Sequence, residues 1–295
     1  MHIGIDTSCY TTSVAAVCKG KILFDKKIML SVKEGKRGLR QSDAVFLHTR
    51  NLSEIMGGCN TGSGVSVSVA ARPRNVSGSY MPVFLAGICA AKTLQSALGC
   101  KYNEFSHQQG HIMAGLYSAG ALHWVGSPFL AFHISGGTTE MLLVKGENLV
   151  DIEIVGKTLD ISAGQLIDRV GVNLGLAFPC GKELELLAEN ATEEISLPVS
   201  VSGMDINFSG AEFKAMRLSA RQADVADAVL QCVARSVKTV IENAKETYNL
   251  NRVIMVGGVA ANKQLRRYIG DEAVFASPKL SCDNAVGIAL LGEMN

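Results

Sequence analysis

The chain has 295 residues, of which 47% are hydrophobic and 19% charged, with a formal net charge of +1. This length favours about two domains, and the near-neutral charge excludes a protein whose whole surface attracts nucleic acid. The chain has eight cysteines but no Cys-x-x-Cys pair, which predicts reduced thiols in a cytoplasmic protein. We expect no secretory signal at its start. The longest apolar run, residues 81–91, is too short to span a membrane.

The first half opens with three extended segments. Residues 3–8 and 14–17 are apolar runs separated by small residues, and a turn at Lys19-Gly20 leads into residues 21–29. This pattern predicts a three-stranded meander. Further along the chain, hydrophobic periodicity predicts a helix at 39–56, a strand at 64–71, a helix at 83–98, a short strand at 101–103, and a helix that contains His107.

Two histidines of that last helix, His107 and His111, are four residues apart. Residues at this spacing lie on one face of a helix, so the pair can share a metal ion, although two ordinary surface or core histidines are the commoner explanation of this spacing alone. A zinc peptidase would need glutamate at the second position of the motif, where this chain has Gln108. An amide cannot act as a general base, so a metallopeptidase is the least favoured function.

The second half repeats the pattern of the first. Residues 129–135, a small-residue turn, residues 141–144, a turn at Gly146 and residues 148–155 follow in the same order, so that Ser135 matches Ser8 and Thr138 matches Thr11. Helices are predicted at 164–174, 182–190, 224–250, 262–269 and 284–294, with strands at 252–256 and 273–276. The repeat predicts a duplicated α/β protein with lobes at 1–125 and 126–282, a ligand cleft between them, and the last helix, 283–295, packed back on the first lobe.

The two small-residue turns are expected to bind phosphate through backbone amides. Such pairs of turns resemble the phosphate-binding hairpins of the actin, Hsp70 and sugar-kinase superfamily (ASKHA fold), which implies two ribonuclease-H-like lobes. Gly257-Gly258 follows a strand and precedes a helix, which lets a nucleotide approach the backbone closely. We therefore expect an adenine nucleotide or acyl-adenylate to contact residues 135–137 and 257–262.

Eight short motifs occur in the order found in the TsaD family, once called glycoprotease or O-sialoglycoprotein endopeptidase. They are Gly4-Ile-Asp-Thr-Ser-Cys9, His107-x-x-Gly-His111, Ser135-Gly-Gly137, Gly164-Gln-Leu-Ile-Asp168, Phe178-Pro-Cys-Gly181, Phe208-Ser-Gly210, Gly257-Gly-Val-Ala-Ala-Asn262 and Cys282-Asp-Asn-Ala285. The resemblance implies transfer of threonylcarbamoyl from threonylcarbamoyl-AMP to N6 of adenosine 37 of tRNA. It also implies TsaB-like and TsaE-like subunits as partners.

The resemblance also implies roles for single residues. Asp283 joins His107 and His111 as ligands of one Fe²⁺ or Zn²⁺ ion, with His133 as a candidate fourth ligand; an N-cap of the last helix is the structural alternative for Asp283. No catalytic residue is assigned. The residues implied to bind the nucleotide or substrate are His133, Ile134, Ser135, Gly136, Gly137, Asp168, Gly181, Glu185 and Asn262. Their alternatives are a core or cleft-lining histidine for His133, solvated helix acids for Asp168 and Glu185, and a helix cap for Asn262.

The chain departs from the family pattern in four places, which is typical of a divergent paralogue. Tyr10-Thr11 replaces an acidic pair, Thr138 stands where His or Asn is usual, Gln165 replaces Glu, and residues 71–78 replace a Gly-Pro-Gly turn. Alternative functions are therefore a non-catalytic nucleotide-binding subunit and carbamoyl transfer to an acceptor other than tRNA. Three local basic clusters are interpreted as solvated faces that permit an RNA partner: Lys33 to Arg40, Arg72 with Arg74, and Arg266 with Arg267.

Overall fold

The computed structural model describes residues 1–8, 10–31, 39–57, 66–146, 149 and 151–295. Cys9, Cys59, the cluster members Lys33, Lys36 and Arg37, and parts of the predicted segments 64–71 and 148–155 lie outside these ranges. The chain divides into two compact units. The first comprises Met1–Gly126, Gly146–Asp151 and Cys282–Asn295, and the second comprises Ser127–Lys145 and Ile152–Ser281. The division into two functional domains, the lobes 1–125 and 126–282, stays a prediction.

A five-stranded sheet forms the centre of the first unit. Its strands are β1 (His2–Asp6), β2 (Thr11–Cys18), β3 (Lys21–Met29), β4 (Ser66–Arg72) and β5 (Lys101–Ser106), in the order β3-β2-β1-β4-β5. Strands β1 to β3 form the predicted antiparallel meander, whereas β4 and β5 run parallel to β1. Parallel strands end at one edge of a sheet, so the last residues of β1, β4 and β5 share that edge.

Helices cover both faces of this first sheet. They are α1 (Gln41–Met56), α2 (Phe84–Leu98), α3 (His107–Ser118) and α10 (Val286–Met294). Ile3 and Ile5 share a core cluster with residues of α1 and α2. The intervening Gly4 faces α10, because a Cβ on Gly4 would lie 2.3 Å from the carbonyl oxygen of Ala285. Alternating strand residues point to opposite faces, so α10 lies on the face away from α1 and α2.

The second unit repeats this strand order. Its sheet contains β6 (Phe129–Ile134), β7 (Thr139–Lys145), β8 (Asp151–Lys157), β11 (Val253–Val256) and β12 (Val274–Phe275), in the order β12-β11-β6-β7-β8. The helices are α4 (Ala163–Asn173), α5 (Gly181–Ala188), α6 (Ser209–Ala215), α7 (Gln222–Tyr248), α8 (Lys263–Ile269) and α9 (Pro278–Ser281). The apolar face of α7 is buried in the core of this unit.

The predicted helices and strands are confirmed, with ends that differ by up to three residues where both are described. The sequence pattern missed α6, the four-residue helix α9 and a small hairpin of β9 (Ser200–Ser202) and β10 (Asp205–Asn207). Three-residue strands are too short to show a period-two pattern. Across the part of the chain that the structure describes, no helix combines the length and the apolar character that crossing a membrane requires.

Candidate functional site

Two neighbouring histidines and an aspartate far along the chain meet in the first unit. His107 and His111 lie one turn apart on α3, and Asp283 lies just before α10. One ligand atom of each lies within 4.8 Å of the other two. The Nε2 atoms of His107 and His111 are 3.5 Å and 3.2 Å from Oδ1 of Asp283. Two imidazole nitrogens and one carboxylate oxygen are a donor set that suits a divalent transition metal, so these residues fit the metal that the family resemblance implies.

Glycine contacts bring Asp283 to the histidines. A Cβ on Gly287 would lie 1.9 Å from the carbonyl oxygen of Gly110, so α10 and α3 cross with their backbones in contact. The amide of Ala285 donates to Oγ of Ser13 at 2.8 Å, which attaches the start of α10 to β2. A side chain at Gly287 would separate the helices and move Asp283 away from the histidines.

The N-cap interpretation of Asp283 is wrong. Helix α10 begins at Val286, two residues after the predicted start. The amide of Val286 donates to Oδ1 of Asn284 at 3.0 Å, so the neighbouring amide side chain binds the helix start. The Asp283 carboxylate is therefore directed to the imidazoles instead.

The start of α3 is fixed by a capping box. The amide of Gln109 donates to Oγ of Ser106 at 3.1 Å, and the amide of Ser106 donates to Oε1 of Gln109 at 2.7 Å. Strand β5 ends at Ser106, so His107 is placed directly at the carboxyl edge of the first sheet.

Asp6, the last residue of β1, binds His107 from the other side. Nδ1 of His107 lies 2.7 Å from Oδ2 of Asp6, a carboxylate that is only 1% exposed. Because a carboxylate accepts, Nδ1 is the donor and Nε2 is directed to Asp283. Sequence reasoning missed Asp6 as a site residue, although an acidic residue at the carboxyl end of a predicted central strand was an available signal.

The cluster is electrostatically polarised. Burial alone would lower the pKa of His107, but the Asp6 and Asp283 carboxylates outweigh it and raise that pKa well above its ordinary value. Burial, followed by repulsion from His107, lowers the pKa of His111. Despite burial, hydrogen bonds from both imidazoles hold the pKa of Asp283 far below its ordinary value. Asp283 is therefore anionic, as a metal ligand must be.

The predicted phosphate-binding turn at residues 135–137 lies in the second unit, after β6. The amide of Ser135 donates to the carbonyl of Thr138 at 2.8 Å, and the amide of Thr138 donates to Oγ of Ser135 at 3.2 Å, which closes the turn. Gly136 and Gly137 are exposed, and a Cβ on either would meet open space. The turn therefore leaves its glycine backbone accessible to a ligand.

The start of α4 supports this turn. A Cβ on Gly164 would lie 2.5 Å from Cα of Gly136, so only glycine lets the helix pack this closely. Oγ of Ser162 donates to the carbonyl of Gly136 at 2.7 Å. Gln165 and Ser162 form a capping box: the amide of Ser162 donates to Oε1 of Gln165 at 3.1 Å, and the amide of Gln165 donates to Oγ of Ser162 at 3.1 Å. The side chain of Gln165 thus accepts the capping hydrogen bond that the glutamate usual in the family could also accept.

The first glycine of the pair after β11 is equally constrained. Gly257 has a φ of +99°, and a Cβ there would lie 2.3 Å from the carbonyl oxygen of Ile134. Only glycine tolerates both conditions. The amide of Leu265 donates to Oδ1 of Asn262 at 2.9 Å, so the cap role of Asn262 is confirmed. A nucleotide contact of Asn262 stays a prediction.

The remaining predicted site residues also lie in the second unit. Oδ1 of Asp168 accepts the amide of Cys180 at 2.8 Å, beside Gly181, and burial raises the pKa of Asp168. Oε2 of Glu185 accepts the amide of Lys263 at 3.0 Å, next to Asn262. Each acid thus accepts a hydrogen bond from a backbone amide through one carboxylate oxygen. His133 and Ile134 are buried on β6. The ligand roles of all these residues stay predictions.

Comparison with known proteins identifies the family. The model of the family described as TsaD, tRNA N6-adenosine threonylcarbamoyltransferase, matches residues 66–290, a span that includes the two histidines and Asp283. The chain belongs to the TsaD family. Its relatives include a tRNA N6-adenosine threonylcarbamoyltransferase of Kosmotoga olearia, which is 31% identical over 98% of this chain and 91% of the relative. The match thus covers nearly the whole of this chain and of a relative named for tRNA modification.

Solved structures of distant proteins share the fold. An activator of 2-hydroxyisocaproyl-CoA dehydratase from Clostridium difficile with bound ADPNP matches with a TM-score of 0.58 at 18% identity, over 99% of this chain and 93% of the other. A ROK-family glucokinase from Streptomyces griseus matches with a TM-score of 0.53 at 14% identity, over 100% of this chain and 99% of the other. Together with the repeated strand order, these matches confirm the predicted sugar-kinase-like α/β fold.

Proposed function

We propose that this TsaD-family protein transfers threonylcarbamoyl from threonylcarbamoyl-AMP to N6 of adenosine 37 of tRNA. The observation that carries the proposal is the convergence of His107, His111 and Asp283 within 4.8 Å. A non-catalytic subunit has no physical need for such a donor set, which disfavours the first alternative. Gln108 stands where a metallopeptidase needs glutamate, which disfavours that function as well.

The proposed metal is one Fe²⁺ or Zn²⁺ ion held by those three residues. When bound, such an ion polarises a carbonyl or phosphoryl oxygen of the substrate. Asp6 orients His107, because its carboxylate holds Nδ1 at 2.7 Å. His133, on β6, stays a candidate fourth ligand.

The proposed adenylate ligand binds the exposed turn at Gly136 and Gly137 and the glycine pair that begins at Gly257. Support comes from the close packing at Gly164 and Gly257, which holds both backbones without side chains. Asp168, Gly181 and Glu185 are proposed to contact substrate hydroxyl or amine groups. Each carboxylate has a second oxygen beyond the one that accepts a backbone amide.

The proposed partners are tRNA and TsaB-like and TsaE-like subunits, and the proposed location is the cytoplasm. The described cysteines are free thiols, which is typical of a reducing compartment. A transfer to an acceptor other than tRNA is the second candidate function, favoured by the divergent segment 71–78.

Mass spectrometry of nucleosides tests the function. Unmodified tRNA is incubated with the protein, the partner subunits, threonine, bicarbonate and ATP, then digested to nucleosides. We expect threonylcarbamoyladenosine with the wild type, and none with a tRNA that carries guanosine at position 37 or with the His107→Ala/His111→Ala variant. The proposal is contradicted when this protein leaves the tRNA unmodified under conditions in which a known family member modifies it.

A further inference from the structure

A long part of the chain is almost free of carboxylates. Between Glu54 and Glu140 the only acidic residue is Glu104, whereas the whole chain has 27 acidic residues in 295. The same part carries four cations: Arg72, Arg74, Lys92 and Lys101. It is therefore positively charged locally, although the whole chain is nearly neutral.

The two arginines lie beside the metal-binding candidates. Arg72 is the last residue of β4 and pairs in register with Ser106, which directly precedes His107. The amide of Gln108 donates to the carbonyl of Pro73 at 3.1 Å. The segment of residues 72–80 is thus attached to the first turn of the helix that carries both histidines.

The segment is closed by its own hydrogen bonds. The amide of Arg74 donates to Oγ of Ser79 at 2.9 Å, and the amide of Ser79 donates to the carbonyl of Val76 at 3.2 Å. These bonds fix the backbone, so the arginine side chains start from defined positions.

The charge of Arg72 is not neutralised within the described part of the chain. Its Nη2 donates to the neutral amide oxygen of Asn75 at 2.9 Å, and no described carboxylate forms an ion pair with it. Both Arg72 and Arg74 are half-buried. A half-buried cation with a neutral partner favours binding of an external anion.

An exposed aromatic residue completes the segment. Tyr80 is 63% exposed, and Val76 is 44% exposed. Arginines that bind phosphate, next to an aromatic ring on which a base can stack, are typical of surfaces that bind unpaired nucleotides.

We propose that residues 72–80 bind the acceptor RNA next to the metal cluster. Arg72 and Arg74 bind backbone phosphates, and Tyr80 stacks on a base near the modified adenosine. This inference rests on the proposed function and adds to it the surface that holds the acceptor loop.

Binding of tRNA to the full chain, measured by fluorescence anisotropy at several salt concentrations, tests the inference. The Arg72→Gln/Arg74→Gln variant is expected to bind about tenfold to a hundredfold more weakly than the wild type. The slope of log affinity against log salt is expected to fall by about 1.4 to 1.8, as for two lost phosphate contacts. Tyr80→Ala is expected to weaken binding about fivefold or more, and Tyr80→Phe to retain it.

Two matched variants distinguish an effect of the arginine charges on tRNA binding from an effect of loop conformation and from an effect of arginines elsewhere. Arg50→Gln/Arg252→Gln removes two exposed arginines elsewhere and is expected to bind like the wild type. Asn75→Ala removes the hydrogen bond to Arg72 but keeps its charge, and is also expected to bind nearly like the wild type. A loss with Asn75→Ala equal to that of the arginine variant overturns the inference, because loop conformation rather than charge then decides binding.

A second ligand distinguishes the source of the phosphate. AMP binding, measured by calorimetry, is expected to be unchanged in the arginine variant. A variant that no longer binds AMP but binds tRNA like the wild type would assign the two arginines to the adenylate site and overturn the inference. Wild-type tRNA affinity in the arginine variant also overturns it and leaves the transfer reaction standing. A wild type that binds tRNA without modifying it contradicts only the proposed function, whereas a wild type that does not bind tRNA contradicts both.

Discussion

Nδ1 of His107 lies 2.7 Å from Oδ2 of Asp6, so the last residue of the first strand holds the first residue of α3. A carboxylate in this position fixes the tautomer and the ring orientation of the imidazole and raises its basicity as a metal ligand. The contact joins two residues that are 101 positions apart in the chain.

Asp6→Ala is expected to weaken metal binding about tenfold to a hundredfold without removing a ligand. Asp6→Asn is expected to have a smaller effect, because its amide oxygen can still accept from Nδ1. Competition with a chromophoric zinc chelator measures the affinity. Asp271→Asn, an exposed acid of the second unit, is the control and is expected to bind like the wild type. Unchanged affinity in Asp6→Ala contradicts the orienting role.

Single alanine substitutions of His107, His111 and Asp283 are each expected to strip the metal, since the two remaining ligands bind too weakly. Folding should largely survive, because the site joins elements that already pack on one sheet. Elemental analysis after anaerobic purification and after reconstitution with iron or zinc gives the stoichiometry. His123→Ala, at an exposed histidine, should keep the metal.

His133→Ala tests the candidate fourth ligand: loss of metal assigns it to the ion, and full retention assigns it to substrate or packing. Stoichiometric metal in His107→Ala/His111→Ala would eliminate the site.

Gly287→Ala is expected to disturb the metal site without changing any ligand. The new Cβ would lie 1.9 Å from the carbonyl oxygen of Gly110, so α10 must move and carry Asp283 with it. Overpacking of this kind costs about 1–3 kcal/mol of stability. Thermal unfolding and metal analysis should both report a loss. Gly57→Ala, where the nearest atom is 3.4 Å away, is the control. Full metal content in Gly287→Ala argues against the role of the helix crossing.

Gly164→Ala is expected to weaken binding of AMP or ATP about tenfold or more, since a Cβ 2.5 Å from Cα of Gly136 displaces the turn that we propose to bind phosphate. Calorimetry with the metal supplied measures the affinity, with Gly57→Ala again as the control. Wild-type affinity in Gly164→Ala would show that nucleotide binding does not depend on this turn.

Asp160→Asn is expected to lower stability in a pH-dependent way. Burial opposes ionisation, but hydrogen bonds from the Ser209 hydroxyl and from the amides of Phe208, Ser209 and Ile161 lower the pKa of Asp160 from 3.8 to about 2. The lower folded-state pKa means that this stabilisation is fully present above about pH 4 and is lost as the pH falls through about 2.

Urea unfolding at pH 7 and at stepwise lower pH measures this difference. The gap between Asp160→Asn and the wild type should be largest at pH 7 and should shrink below pH 4, whereas Asp271→Asn should show no such trend. A gap that stays constant with pH would assign the loss to packing rather than to the charge.

The sequence alone determined the features that depend on local periodicity. Apolar runs, small-residue turns and a constant offset between Ser8 and Ser135 predicted two meanders in one duplicated fold, since strand pattern and turn chemistry are local properties. The spacing of His107 and His111 placed both on one helix face for the same reason, because helical periodicity is nearly independent of context.

The tertiary structure decided how the site is completed, around a third ligand, Asp283, that only the family resemblance had implied. Asp283 reaches the histidines because Gly287 and Gly110 let α10 and α3 touch, and Asp6 reaches His107 because β1 and β5 end at one edge of the sheet. No local pattern encodes these contacts, since each joins residues more than one hundred positions apart in the chain. The start of α10 is held by Ser13 and Gly110, so the structure also had to decide that Asn284 and not Asp283 binds the first amides of the last helix. The Asp283 carboxylate is then directed to the imidazoles.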